Sequence, residues 1–328
     1  MAYSQEVVRR ARARLAEAKA DRESENLQHL QQAYAQIPRI REIDILLRRS
    51  MALAAQAVFT QGGDARLAME QVKEANLALQ QERQMLIDAH FEEGYLDETP
   101  ICQLCGGSGY IGSNMCECLR ELCRQEQKKE LSLLTSGDER FEKFRLDYYP
   151  DRIDPKYGAS PRIIMERNYN ICRKYAFSFG SGSGNLLFVG GTGLGKTFLS
   201  ACIARSVADR GFSVAYETAV HLFNKLEKNR FEHSEQTQAA VDQLERADLL
   251  ILDDLGTEMA GSNFVTTALY TLLNDRLLAG KSMVISTNLT IEEMSRRYSP
   301  QIASRLQGSF QRLVFVGEDI RVLKNRGY

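Results

Sequence analysis

Three groups of residues in this chain have the types and the spacing to do chemistry. In "VGGTGLGKTF", the run Gly190, Gly191, Thr192, Gly193, Leu194 and Gly195 leads into Lys196, Thr197 and Phe198. Glycine is the costliest residue to order, so a turn this rich in it must offer something that side chains would obstruct. It offers a ring of backbone N–H groups able to surround a polyphosphate, with the positive end of a helix dipole behind them. The spacing Gly190-x4-Gly195-Lys196-Thr197 follows the apolar run "NLLFV" and opens a helical pattern, which is the context such a loop needs. Lys196 is then expected on the β- and γ-phosphates and the Thr197 hydroxyl on Mg2+.

The second group supplies acids and polar strand ends. In "ADLLILDDLG" four apolar residues feed Asp253 and Asp254. An acid at the end of such a strand is placed to hold the metal's water shell, and its neighbour to orient or deprotonate an attacking water. "KSMVISTNLT" ends in Ser286, Thr287 and Asn288, which can hydrogen-bond a γ-phosphate or that water. "SPQIASRLQGSF" places Arg305 on a helix, with Arg296, Arg297 and Arg312 nearby. An arginine supplied by a neighbouring subunit stabilises charge on a transferring phosphoryl group; a solvated basic helix has the same sequence signature.

The third group is "CQLCGGSGYIGSNMCECLRELC", giving Cys102-x2-Cys105, ten residues, then Cys116-x-Cys118. A C-x2-C knuckle puts two thiolates on one side of a zinc tetrahedron, and the glycine-rich loop can return a second pair. The set Cys102, Cys105, Cys116 and Cys118 is expected to bind Zn2+ as a closed structural site, with Cys123 the alternative to Cys118. A module this poor in apolar residues needs such a staple. Cys172 and Cys202 each lie alone in an apolar helical context and read as packing residues.

The elements that position these groups follow from pattern and composition. The chain has 328 residues, 44% hydrophobic and 26% charged, with a net charge of -1, so two or more folding units are expected and no global field draws it to nucleic acid. No apolar run approaches the roughly 20 residues that cross a bilayer. Seven cysteines, four of them clustered, argue for a reducing compartment, and a cytoplasmic location is expected. Residues 1–97 read as a helical hairpin region, a partner-binding module or a solvated helical spacer, with Leu46, Leu47, Ala54 and Val58, and Leu67, Val72, Leu79 and Leu86, at helical spacing around a turn at "TQGGDAR". Residues 98–124 are the cysteine module, and 125–160 a linker ending in an aromatic patch (Phe141, Phe144, Tyr148, Tyr149) suited to docking on the next domain. Residues 161–328 alternate helices with short strands at Leu186–Val189, Val214–Tyr216, Leu249–Leu252, Met283–Ser286 and Leu313–Val316. That alternation predicts an α/β domain, a mostly parallel sheet with helices on both faces.

The order of P-loop, "LLILDDLG", "ISTN", "IASRL" and a late "GEDIR" resembles the AAA+ ATPases. More narrowly it is similar to bacterial replicative-helicase loaders of the DnaC/DnaI type and to the IstB-like transposition ATPases. The resemblance spans about residues 141–328, and the cysteine block resembles the loader branch that carries a zinc module. It implies ATP with Mg2+ as ligand, Asp253 as the magnesium-side acid, Asp254 as the candidate base and Asn288 at the sensor position. It further implies Arg305 as an arginine finger acting across a subunit interface, and Arg321 of "GEDIR" as a second sensor. Asp254 departs from the Glu common at its position, which implies slow hydrolysis. The partners implied are the replicative helicase, single-stranded DNA and further copies of this chain. DNA would be met near Lys225, Lys228, Arg230, Phe231 and Phe264, residues that a solvated helix face explains as well. The alternatives are a transposition regulator on duplex DNA and a nucleotide-binding adaptor without significant hydrolysis.

Overall fold

The computed structural model describes residues 3–60, 65–134, 139–232, 234–258 and 263–325. It divides into two compact units, one of Ala13–Cys118 and one of Met1–Arg12 with Leu119–Tyr328.

The first unit is helical, apart from the cysteine hairpin. It takes most of α1 (Gln5–Gln36), then α2 (Pro38–Thr60), α3 (Ala65–His90) and a two-residue hairpin of β1 (Tyr110–Ile111) and β2 (Asn114–Met115). Ala33, Ile40, Ile43 and Ile87 are buried at its centre, and Asp44 accepts from Tyr34 and Arg83, each at 2.7 Å. The expected helices are present; among the described side chains of α2 the buried ones are Ile40 and Ile43, Leu46 is 42% exposed, and the burial of Ala54 and Val58 lies outside what is described. Gly62 and Gly63 of the expected turn lie outside the described residues.

The second unit begins with the first turns of α1. It continues with α4 (Glu117–Leu134), whose second half occupies the start of the segment read as a linker, and two short 3-10 turns at Phe141–Lys143 and Leu146–Tyr148. Helix α5 (Pro161–Phe177) starts where its sequence directs: the Ser160 hydroxyl accepts from the Ile163 N–H, and Pro161 fills the first turn. Strands and helices then alternate: β3 (Asn185–Val189), α6 (Lys196–Asp209), β4 (Val214–Thr218), α7 (Ala219–Glu232), α8 (Glu235–Arg246), β5 (Leu249–Leu255) and α9 (Asn263–Leu278). The chain continues through β6 (Ser282–Thr287), α10 (Ile291–Arg297), α11 (Pro300–Ser309), β7 (Phe310–Val314) and α12 (Ile320–Asn325).

The five strands from β3 onward form one parallel sheet in the order β4-β5-β6-β3-β7. Alternate residues face opposite ways and both ways are buried, which is why the strands read as continuous apolar runs. Leu186 and Phe188 pack with Ile251, Val284 and the α5–α6 side, whereas Leu187 packs with Leu250, Leu252 and Ile285 against α7 to α11. This is the expected α/β architecture. One strand needs correction: Leu313–Val316 was expected and Phe310–Val314 is observed. As the edge strand it pairs on one side only, so Gln311 and Arg312 stay exposed and break the apolar run that would have revealed its start. The aromatic patch does dock, with Phe141 and Tyr149 in the core beside α5 and α6. No described helix is long and apolar enough to cross a membrane.

Candidate functional site

Sheet order decides which side chains meet. Strand β6 lies between β3, which feeds the glycine turn, and β5, which ends in the acid pair. The three C-terminal strand ends therefore deliver the turn, Asn288 and Asp254 to one cavity of about 510 Å³.

The glycine turn is built as its composition requires. Gly193 and Gly195 sit at φ 70° and 89°, in the left-handed region that side chains disfavour. A Cβ on Gly193 would come within 1.9 Å of Asp319 Oδ1, and one on Gly195 within 2.8 Å of the Tyr149 hydroxyl. Gly195 caps α6, so the helix N-terminus opens on the turn. The Lys196 ammonium donates to the carbonyls of Gly190 at 2.7 Å and Gly191 at 2.5 Å and to Asn288 Oδ1 at 2.6 Å. Burial lowers its pKa, against the pull of Asp254 and Asp253. Thr192, Gly193, Leu194, Gly195, Thr197 and Phe198 line the same cavity.

The two aspartates are placed differently. Asp253 is 3% exposed, accepting from the Tyr216 hydroxyl at 3.0 Å on one oxygen and from Ser286 Oγ on the other. Burial first, and the Asp253 charge next, push the Tyr216 phenol well up, so it stays a donor. The register of β5 on β6 shifts between Leu252 and Leu255, and Asp254 sits within that irregularity at φ 54°. Among the described residues it is the sole non-glycine with positive φ. Asp254 lines the cavity, and its pKa is raised by burial and then by Asp253, with Lys196 and Arg321 pulling it down.

The far wall comes from residues that motif reading assigned no ligand: Phe144, Tyr148, Tyr149, Ile320 and Lys324, together with Arg321. Phe144 lies 6.0 Å from the Phe198 ring and 5.8 Å from Tyr149, which leaves an aromatic surface beside the glycine turn. The "GEDIR" segment is fastened to that loop, since the Ile320 N–H donates to the Gly193 carbonyl at 3.0 Å. The aromatic patch was visible in the sequence; its position at the cavity was not.

Arg305 stands apart from the cavity. Its guanidinium covers the Tyr270 ring at 4.3 Å and donates to the Tyr270 hydroxyl at 2.7 Å. Arg297 is bound by buried Glu258. The basic and aromatic residues singled out for DNA are partly engaged: Lys225 pairs with Glu217, Lys228 with Glu232 at 3.7 Å, and Arg230 lies 5.5 Å over Phe264. Phe231 is 74% exposed.

In the helical unit, the sulfurs of Cys102, Cys105, Cys116 and Cys118 all lie within 4.8 Å of one another. Cys118 completes the set. The Cys102–Cys116 and Cys105–Cys118 separations are 3.8 and 3.5 Å. A tetrahedron with zinc–sulfur arms of about 2.3 Å has edges of about 3.8 Å, so the cluster has the size the ion requires. Burial resists ionisation of Cys105, yet the Gly109 N–H and the neighbouring thiols outweigh it and bring Cys105 down to about 6. Cys118 is pushed up by burial and then by the thiols of Cys105, Cys116 and Cys102. Cys172 and Cys202 are buried in α5 and α6, as expected of packing residues.

Residues 168–322 match the family described as IstB-like ATP binding protein, a span that holds the glycine turn, both aspartates, Asn288, Arg305 and Arg321. An insertion sequence ATP-binding protein of Sinorhizobium fredii, designated y4iQ/y4nD/y4sD, is 32% identical over 112 residues. That match covers 34% of this chain and 36% of the relative's length. Among solved structures, the DnaC helicase loader aligns with a TM-score of 0.45 at 20% identity, over 54% of this chain and 98% of that one. DnaI aligns with a TM-score of 0.43 at 18% identity, over 56% and 90%. Domain III of the replication initiation protein DnaA of Thermotoga maritima gives 0.44 at 23% identity, over 57% and 71%.

Proposed function

We propose, from the premise that residues 168–322 form an IstB-like ATP-binding domain, that this protein is an ATP-hydrolysing switch that loads a replicative helicase onto single-stranded DNA. The observation that carries the nucleotide reading is the single cavity where the glycine turn, the α6 N-terminus, Lys196, Asn288 and Asp254 converge. Main-chain N–H groups of the turn would cradle the phosphates, and Lys196 would exchange its three oxygen partners for phosphate oxygens. Phe144, Tyr148 and Phe198 offer a surface for the adenine ring.

Thr197 would hold magnesium, which when bound neutralises phosphate charge. Asp253, the acid read for the ion's water shell, is buried outside the cavity lining with its oxygens held by Tyr216 and Ser286, and would reach that shell only by giving up one of those partners. Asp254 would then orient or deprotonate the attacking water and Asn288 would hold the γ-phosphate. Arg321 and Lys324 would supply positive charge from α12. Arg305, outside its own cavity, is suited to reach the cavity of a second copy, which makes assembly depend on nucleotide. Zinc in the Cys102–Cys105–Cys116–Cys118 cluster would staple the module that, with the helices of residues 1–97, grips the helicase.

The loader reading is supported by the union of a zinc-sized cysteine cluster and helical region with this ATPase domain. A second reading, an ATPase that serves transposition, is favoured by the family description and by the Sinorhizobium relative. Affinity purification of the full chain from its own cells separates them. Recovery of a replicative helicase supports loading, and recovery of a transposase in its place overturns it.

A further inference from the structure

Three strands meet at the Ser286 hydroxyl, which the polar strand end Ser286-Thr287-Asn288 offered as a phosphate or water ligand but which lies buried outside the cavity lining. Ser286, on β6, is 1% exposed, and its Oγ does two things at once. It donates to Asp253 Oδ1 and accepts the main-chain N–H of Asp254 at 2.9 Å. The other oxygen of Asp253 is held by the Tyr216 hydroxyl from β4, at 3.0 Å. Beyond the network, Asp254 stands at φ 54° where the β5–β6 register slips, a conformation that persists only when its surroundings hold it.

We infer that Ser286 is a positioning residue for nucleotide hydrolysis: its hydroxyl ties the buried Asp253 carboxylate to the main chain of Asp254 and so fixes the strained turn that aims Asp254 into the cavity. Tyr216 completes the anchor by holding Asp253 from the opposite strand. Neither hydroxyl lines the cavity, so both act through the aspartates and not on the ligand. A buried network of this kind is rigid when every member is satisfied and loses its geometry when one donor is removed. The inference rests on the ATPase reading above.

The test compares wild type with Ser286→Ala, Ser286→Thr, Ser286→Val and Tyr216→Phe, measuring kcat, KM, ADP affinity by calorimetry and thermal stability on the full chain. Thr and Val have one shape and differ in the hydroxyl. The expected result is a kcat lower by about 10- to 100-fold in the Ala and Val variants, since a misplacement near 1 Å costs that much, with ADP affinity held within about threefold. Thr restores much of the rate lost in Val, and Tyr216→Phe shows a smaller loss of the same kind. Wild-type turnover in every hydroxyl-less variant overturns the inference. So does loss of fold or of ADP affinity in step with rate, which would make the network structural. A wild-type protein that binds ADP but hydrolyses nothing overturns the ATPase reading itself, and is thereby distinguished from failure of the positioning claim.

Discussion

The Tyr149 hydroxyl donates to the Leu194 carbonyl at 3.0 Å, joining a segment 45 residues upstream to the glycine turn. Tyr149 is fully buried, and burial raises its phenol so that it remains a donor. The contact makes the segment before α5 part of the cavity wall beside the glycine turn, which gives the aromatic patch a place in the proposed nucleotide site. Tyr149→Phe leaves a buried carbonyl without this partner, which costs about 1–3 kcal/mol. We expect a lower melting temperature and weaker ATP binding by calorimetry. Unchanged values for both would show that the contact supports nothing.

Gly193 answers to two constraints, a φ of 70° and the Asp319 carboxylate lying where its Cβ would be. Gly193→Ala should therefore reduce ATP affinity by at least about tenfold, because a residue with a Cβ costs about 1–2 kcal/mol in this conformation before any clash is counted. Gly191→Ala, whose Cβ would meet Leu194 Cδ1 at 3.8 Å, should leave folding stability within about 0.5 kcal/mol. Thermal melts with and without nucleotide check both, and equal losses in the two variants would contradict the assignment.

Asp254 carries a pKa raised by burial and then by repulsion from Asp253. A base must be ionised to accept a proton, so turnover is present above that pKa and lost as pH falls through it. The acid limb of kcat should lie above the ordinary aspartate value of about 3.9. Asp254→Asn should abolish turnover while retaining nucleotide. A limb at the ordinary value, or an active Asn variant, would count against Asp254 as base.

Arg305 rests on Tyr270 and not in its own cavity. Arg305→Ala should leave ATP affinity within about twofold and remove nucleotide-dependent self-assembly, with a loss of rate of several orders of magnitude if it acts as an arginine finger. Sedimentation with and without ATP reads the assembly. Loss of ATP binding by the monomer would place Arg305 in its own chain's site.

Zinc should be found at about one per chain, held by four thiolates. Cys102→Ser should release it and lower the stability of the cysteine module, read by metal analysis and melting. A Cys102→Ser protein with full zinc would remove the assignment.

The glycine turn, the acid pair and the cysteine spacing were legible because each is a local pattern whose residue types state their chemistry. The parallel sheet was legible for a related reason: strands buried on both faces, such as Leu249–Leu252, read as unbroken apolar runs. What stayed hidden depends on long-range contact. Nothing in the sequence places Tyr149 under Leu194 or Asp319 against Gly193, and the edge strand β7 conceals its first residues because Gln311 and Arg312 face solvent. The different surroundings of Asp253 and Asp254 could not be read from two identical letters. They arise from a register shift against a neighbouring strand.

On the proposed function, the turn around Gly193 and Lys196 embraces a nucleoside triphosphate. Calorimetric titration of the full chain with ATP and magnesium tests it most directly. The expected result is saturable binding near one ATP per chain that falls by at least about tenfold in Lys196→Ala, the loss of one charge-assisted phosphate contact being about 1.4 kcal/mol or more. Absence of any heat with the wild-type protein, or identical binding in the Lys196→Ala variant, would contradict it.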